Sequence, residues 1–195
     1  MTAFRKPQVA LTSKAAPFAI RAERTADVAM REALLDACFG ENRHDRTCQR
    51  LRDGRAPAAG LALSAVREGT LVGTVRLWHV SAGGRPALVL GPLAVDPACR
   101  ELGIGAALMQ QALAAARARG HAAVILLGDA PYYARFGFST EKTGALVLPG
   151  PFERDRLLAI EFTDGALDGA EGQIVPTGAA LAKWWVVRAL QAHAA

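Results

Sequence analysis

The chain has 195 residues, a mass of 20.5 kDa, a formal charge of +5 and a sequence pI near 9.6. With 51% hydrophobic and 21% charged residues it reads as one globular domain, and no apolar run approaches the roughly 18 residues of a membrane span. Its three cysteines, Cys38, Cys48 and Cys99, lack the spacing of a disulfide framework or a thiolate metal site, and its arginines lack the aromatic interleaving of a nucleic-acid surface. The reading is therefore a protein of a reducing, cytoplasmic setting, without a membrane or nucleic-acid partner, whose positive field suits a small anionic ligand.

Residues 1–17 carry Arg5, Lys6 and Lys14 without the apolar core of a secretory signal, and read as a flexible tail. The domain proper is expected over residues 18–175. Phe18–Arg21 alternates as a short edge strand, and Thr25 is expected to cap a helix reaching Phe39 and burying Val28, Leu35 and Cys38. A second, exposed helix is read over Asp45–Arg52.

Leu61–Arg67 and Leu71–Val80 are strands joined through Glu68-Gly69-Thr70, and Gly83-Gly84 turns the chain into a third strand of this meander, Ala87–Val95. Asp96-Pro97 stops that strand because proline has no amide donor. Ile104–Arg119 has helical periodicity, with Ile104, Leu108, Ala112 and Ala115 on one face, Arg117 and Arg119 in the last turn and Gly120 as the residue that ends it. The apolar run Ala122–Leu127 is then a buried strand, and a strand–helix–strand connection of this length predicts that it lies parallel to Ala87–Val95. A short helix at Pro131–Phe136, a strand after Gly137, strands at Ala145–Leu148 and Leu157–Phe162, a loop over Asp164–Gly178 and a docked C-terminal helix within residues 176–195 complete the expectation.

Chemistry concentrates between the end of the third meander strand and the following helix, in Val95-Asp96-Pro97-Ala98-Cys99-Arg100-Glu101-Leu102-Gly103-Ile104-Gly105-Ala106. Glycines there allow close backbone approach, and the first turn of a helix leaves N–H donors that favour phosphate oxygens. Arg100 adds a permanent cation. A dinucleotide loop is the rival reading, with Asp129 as the ribose-binding acid, but Leu108 occupies the third small position of that fingerprint and an antiparallel meander precedes the loop.

The segment resembles the GCN5-related N-acetyltransferases (GNAT), whose acetyl-CoA motif runs Arg/Gln-x-x-Gly-x-Gly/Ala; Arg100, Gly103 and Gly105 fill it. A second family pattern, Tyr-x-Arg/Lys-x-Gly-Phe, is met by Tyr133-Ala134-Arg135-Phe136-Gly137-Phe138, and Leu126-Leu127-Gly128-Asp129 ahead of Tyr132-Tyr133 resembles a bacterial subgroup of uncharacterised members. The resemblance spans Phe18 to about Phe162. It implies a mixed α/β fold with a mostly antiparallel sheet splayed between its fourth and fifth strands and flanked by helices.

It further implies an acetyl-CoA-dependent N-acetyltransferase acting by direct attack of an amine. Leu93, Ala94 and Val95 would present main-chain groups to the pantetheine arm, with Val95 as oxyanion donor. Amides from Glu101 through Leu102, Gly103, Ile104, Gly105 and Ala106 would hold the pyrophosphate, while Arg100 either orients the loop or touches a phosphate. Tyr133 corresponds to the family's usual acid, and a phenol of ordinary pKa about 10 carries its proton at neutral pH; aromatic packing is the plain alternative for Tyr133 and for Tyr132. Asp129, Glu68 and Glu161 are the carboxylates considered as base, each also readable as a solvated charge. His44, His79, His121 and His193 lack metal spacing, so no metal is expected. The acceptor, a small-molecule or peptide amine, is left open, and the late segment offers either an acceptor pocket or a homodimer contact. A non-catalytic coenzyme A sensor or assembly module is the alternative function.

Overall fold

The computed structural model describes residues 17–181; the tail at 1–16 and most of the helix expected at Leu181–Gln191 lie outside them. Eight strands form one open sheet: β1 (Ala19–Ala22), β2 (Ala62–Arg67), β3 (Thr70–Ala82), β4 (Arg85–Val95), β5 (Ala123–Leu127), β6 (Leu146–Val147), β7 (Leu157–Glu161) and β8 (Gly172–Pro176). Their lateral order is β1-β2-β3-β4-β5-β7, and all these neighbours are antiparallel except β4 and β5. This is the mixed, mostly antiparallel sheet expected, flanked by α1 (Val28–Phe39), α2 (Ile104–Ala118) and the short α3 (Ala130–Ala134). Among the described residues no helix is long and apolar enough to cross a membrane.

The β2–β3 hairpin turns through Glu68 (φ 50°) and Gly69 (φ 81°), a two-residue loop whose positive φ values match the twist of the strands it joins. β3 runs 13 residues, about twice the length of β2, so its far end needs another partner. Antiparallel β8 supplies it, with Val80 opposite Pro176 and Ala82 opposite Ile174. The loop expected over Asp164–Gly178 is thus corrected: it contains a strand, which was missed because only Ile174 is buried in it and the apolar alternation is weak.

α2 covers one face of the sheet, burying Ile104, Leu108, Met109, Ala112 and Ala116 against Leu63, Val75, Leu77, Leu88 and Val124. Met109 and Ala116 share this stripe, while the expected Ala115 is only partly buried at its border. The helix ends as the composition predicts, with Gly120 at φ 77°, Gly120 N donating to Arg117 O (3.0 Å) and His121 N to Ala116 O (3.2 Å). The opposite face buries Trp78, Val80, Val89, Ile125, Leu146 and Leu157.

α1 lies on that second face, with Leu34 and Leu35 against Leu71 and Ala94. Val28, expected inside, is exposed, and Thr25 is not the cap. Instead the carboxylate of Asp27 accepts from Arg24 N (2.8 Å), from Arg21 Nη2 (2.8 Å) and from the Ser64 hydroxyl (3.1 Å), tying the helix start to β1 and β2. The exposed helix expected over Asp45–Arg52 is two 3-10 turns, Glu41–Asp45 and Thr47–Leu51, because Thr47 and Leu51 are buried and pin the segment to the domain. After Gly137 the expected strand is reduced to a single bridge between Ser139 and Ala159.

Candidate active site

β4 carries a bulge. Val75 faces Leu93 and Leu77 faces Leu90, so Gly91 and Pro92 together oppose Arg76 alone. Gly91 takes φ 130°, a conformation that disfavours L side chains, and its carbonyl accepts from Trp78 Nε1 at 2.8 Å, which fastens the bulge to β3. β4 pairs with β5 only at Leu88–Val124 and Val89–Ile125. Beyond the bulge the two strands part, and Leu93, Ala94 and Val95 keep ladder partners only on the β3 side among the described residues. The Cys38 thiol donates to the Val95 carbonyl at 3.4 Å, bringing α1 to the same strand end.

The chain leaves β4 through Asp96, whose carboxylate accepts from Ala98 N (2.9 Å) and whose carbonyl accepts from Cys99 N (2.8 Å). Pro97–Leu102 then forms a 3-10 turn that places Arg100 and Glu101 at the surface. Gly103, at φ 74°, reverses the chain into α2, where the first backbone bond runs from Ala107 N to Gly103 O (3.0 Å). Among the described residues no side chain caps this helix, so the amides of Gly103, Ile104, Gly105 and Ala106 stand ahead of its ladder as free donors. Glu101 and Leu102, read from the sequence as part of the same cradle, sit in the 3-10 turn before it.

Gly73 sets the position of that helix end. A Cβ there would fall 2.9 Å from Ile104 Cγ2 and 3.0 Å from Leu108 Cδ1, so only glycine lets α2 lie this close to β3. Gly105 in turn faces the Tyr132 hydroxyl and Val95 Cγ2, at 3.4 and 3.5 Å from an ideal Cβ. The helix start, the end of β4 and the tyrosine pair therefore converge.

Tyr132 and Tyr133 stand on α3, directly after β5. Their rings meet edge to face at 5.0 Å, Arg135 covers Tyr132 at 4.4 Å, and Tyr133 packs toward Phe138 at 6.1 Å. A Cβ on Gly128 would fall 2.2 Å from Tyr133 Cε2, so the ring occupies space that any side chain at 128 would take. Burial pushes the Tyr133 hydroxyl up to about 12, Tyr132 and Asp129 add to the shift, and Arg156 opposes it. Tyr133 is thus a protonated phenol throughout the physiological range.

At the split between β4 and β5 lies a cavity of about 730 Å³. Gly91, Pro92 and Leu93 line it from β4, Leu126 to Asp129 with Tyr132 and Tyr133 from the β5 side, and Arg43, Arg46 and Arg52 with Pro151 to Glu153 and Arg156 from the loops. Of the residues expected at the site, Leu93 and Tyr133 meet here. Arg100 through Ala106, with Ala94 and Val95, lie outside its wall, at the neighbouring helix start. Of the three carboxylates considered as base, Asp129 reaches the cavity; Glu68 is exposed on the β2–β3 turn, and Glu161 accepts from Leu167 N at 2.6 Å. Gly73 and the place of Arg52 at the site went unremarked in the sequence, although an isolated glycine within a strand, as at Gly73, is a usable sign of close backbone approach.

A profile of the acetyltransferase (GNAT) family matches residues 28–138. The chain is 30% identical over 157 residues to an uncharacterised N-acetyltransferase, YhbS, of Escherichia coli K12, covering 80% of this chain and 93% of that protein. It is also similar to the crystal structure of YhbS in complex with CoA, with a TM-score of 0.72 and 29% identity over 85% of this chain and 93% of that one. A GNAT family acetyltransferase of Brucella melitensis, in complex with acetyl-CoA, superposes with a TM-score of 0.63 at 26% identity over 82% of this chain and 96% of that one.

Proposed function

Since the chain belongs to the acetyltransferase (GNAT) family and is an N-acetyltransferase, we propose that it moves the acetyl group of acetyl-CoA to a primary amine by direct attack, with Tyr133 as the acid. The observation that carries this reading is a half-buried, protonated phenol on the wall of the cavity that opens where β4 and β5 part.

The residues present fit coenzyme A. The relatives YhbS and the Brucella protein were crystallised with CoA and acetyl-CoA. Here the unpaired edge of Leu93–Val95 suits the peptide-like amides of a pantetheine arm, which can stand in for the missing strand. The free amides of Gly103–Ala106 suit a diphosphate, since N–H groups and the helix dipole both favour negative charge there. Arg100, exposed one turn earlier, adds charge attraction, and Glu101 and Leu102 shape the approach.

Acetyl-CoA supplies the acetyl group already activated as a thioester. The acceptor nitrogen forms the new C–N bond and loses a proton to water, with Asp129 on the cavity wall to receive it. A main-chain N–H at the end of β4, Val95 in this reading, faces the carbonyl oxygen as negative charge builds on it. The C–S bond breaks as the Tyr133 hydroxyl gives its proton to the sulfur, and solvent later restores the phenol. A phenol shifted upward is a weaker acid but needs no prior proton uptake, and the transfer spares the departing sulfur a full negative charge.

The test is Tyr133→Phe. Turnover measured by thiol release falls ~100-fold or more, while calorimetric CoA affinity stays near wild type, because the proton is used only in the transition state. The wild-type kcat/KM rises with deprotonation of the amine, and Tyr133 contributes no descending limb between about pH 6 and 10. Unchanged turnover of the variant under chemistry-limited conditions removes Tyr133 from the reaction.

A further inference from the structure

Among the four arginines on the cavity wall, three are already engaged. Arg43 Nη2 reaches Glu32 at 2.5 Å and its Nε reaches Asp36 at 2.6 Å; Arg46 stacks on the Phe39 ring at 4.9 Å; Arg156 Nη1 lies 3.8 Å from Glu153. Arg52 has neither a carboxylate within ion-pairing reach nor an aromatic face among the described residues. Its Nε is closed off from solvent without a hydrogen-bond partner. The neighbouring acid, Asp53, is turned to Gln49 Nε2, which donates to it at 2.6 Å.

The position of Arg52 is held by its surroundings. Leu51 is fully buried beside it, the Thr47 hydroxyl donates to Pro151 O at 2.5 Å, and Arg50 Nη1 donates to Pro149 O at 2.6 Å. Arg52 Nη1 leans over Gly91, 3.7 Å from where a Cβ on that residue would stand, so the bulge leaves room for the guanidinium. Burial pushes the Arg52 guanidinium below its ordinary value, yet an arginine keeps its charge in proteins. An unpaired cation held in a partly dry wall is costly unless a ligand brings the opposite charge.

From this arrangement we propose that the acceptor amine also carries an anionic oxygen group, a carboxylate or a phosphate, and that Arg52 is the residue that binds it. The inference rests on the acetyl-transfer reading above and narrows its substrate class. The fork of the guanidinium matches two oxygens of either anion. Asp129, beside Tyr133 on the β5 side, lines the same cavity and is available for the amine end, so one small molecule can span the two charges within about 730 Å³.

The experiment uses the full chain with acetyl-CoA and matched amines that differ only in the anion: phenylalanine against phenethylamine, and phosphoethanolamine against ethanolamine. At least one anionic member is turned over with a kcat/KM ~100-fold above its neutral partner, and Arg52→Gln collapses that ratio toward unity through KM, as expected for losing one side of a buried charge pair. Arg52→Lys, which keeps charge but not the fork, gives an intermediate ratio, and unaltered CoA affinity shows that both variants are folded. Which pair responds distinguishes a carboxylate from a phosphate ligand. Preference for the neutral amines, or a ratio untouched by Arg52→Gln, overturns the proposal and leaves acetyl transfer standing. If none of these amines releases thiol, calorimetry of the same four compounds with CoA-loaded protein decides: Arg52-dependent binding of an anionic member supports the site and counts against transfer, while no such binding overturns the site.

Discussion

Replacing Gly128 with alanine perturbs the proposed acid without touching its chemistry. An ideal Cβ at 128 falls 2.2 Å from Tyr133 Cε2, 2.7 Å from Cδ2 and 3.0 Å from Leu126 Cδ1, against ordinary contacts of 3.4 Å or more, so the ring must retreat by about 1.2 Å. Gly128 has no positive φ, and Gly128 N donates to Arg156 O at 2.9 Å, so its backbone accepts alanine and the strain falls on the ring. Tyr133 cannot swing away freely, because Phe136 and Phe138 pack behind it at 6.5 and 6.1 Å between ring centres. A displacement near 1 Å of a catalytic group lowers turnover by roughly 100-fold, and overpacking costs about 1–3 kcal/mol of stability. Gly128→Ala therefore melts earlier yet folds, binds CoA, and releases thiol about 100-fold more slowly under single-turnover conditions. In a Tyr133→Phe background the same change has little further effect on rate, since the proton is already gone. In a Tyr133→Ala background it has little effect on stability, since the ring is gone. Wild-type turnover in Gly128→Ala, or a full 100-fold loss on top of Tyr133→Phe, refutes the assignment of Tyr133 as the acid positioned here.

Gly105→Val crowds the helix start: the Cβ alone already meets the Tyr132 hydroxyl at 3.4 Å and Val95 Cγ2 at 3.5 Å, so the two further methyl groups of valine need room that the loop must give up. Calorimetric CoA affinity of this variant drops ~10-fold, about 1.4 kcal/mol; an affinity equal to wild type would place the diphosphate elsewhere. Asp27 is held well below the usual carboxylate range, first by Arg21 and then by Arg24 N and Ser64, against the opposing effect of burial. A depressed folded pKa gives stability that is present above the unfolded value of about 3.9 and is lost as pH falls toward the folded one. Asp27→Asn should cost about 2 kcal/mol at neutral pH, less than a fully buried pair because Arg21 can rehydrate. Its melting temperature should also decline less steeply below about pH 4 than that of the wild type; parallel acid profiles would show that Asp27 has no part in the pH dependence.

Much of this architecture was legible along the chain because its signals are local. The α2 stripe, the Gly120 stop and the apolar run of β5 identify a helix and a buried strand by spacing alone, and the parallel β4–β5 pairing follows from their connection. Arg100, Gly103 and Gly105 could be singled out because a strand end, two glycines and a helix start lie within one short segment. Where local signals misled, burial from distant residues decided. Thr47 and Leu51 turned an apparent surface helix into 3-10 turns, Asp27 displaced Thr25 as the anchor of α1, and the unpaired end of β3 drew β8 out of an apparent loop.

Residue order and spacing suffice for the strand–helix–strand unit, the helix start and the tyrosine pair after β5, since periodicity, glycine and proline act on the backbone near where they occur. Packing in three dimensions sets how far Tyr133 is buried and hence how firmly it keeps its proton. It also settles that Gly73 and Gly128 make room for α2 and for that ring, and that Arg52, remote in sequence from the bulge, leans over Gly91 without a partner among the described residues. Desolvation and steric room depend on every neighbour in space, so no spacing rule along the chain contains them.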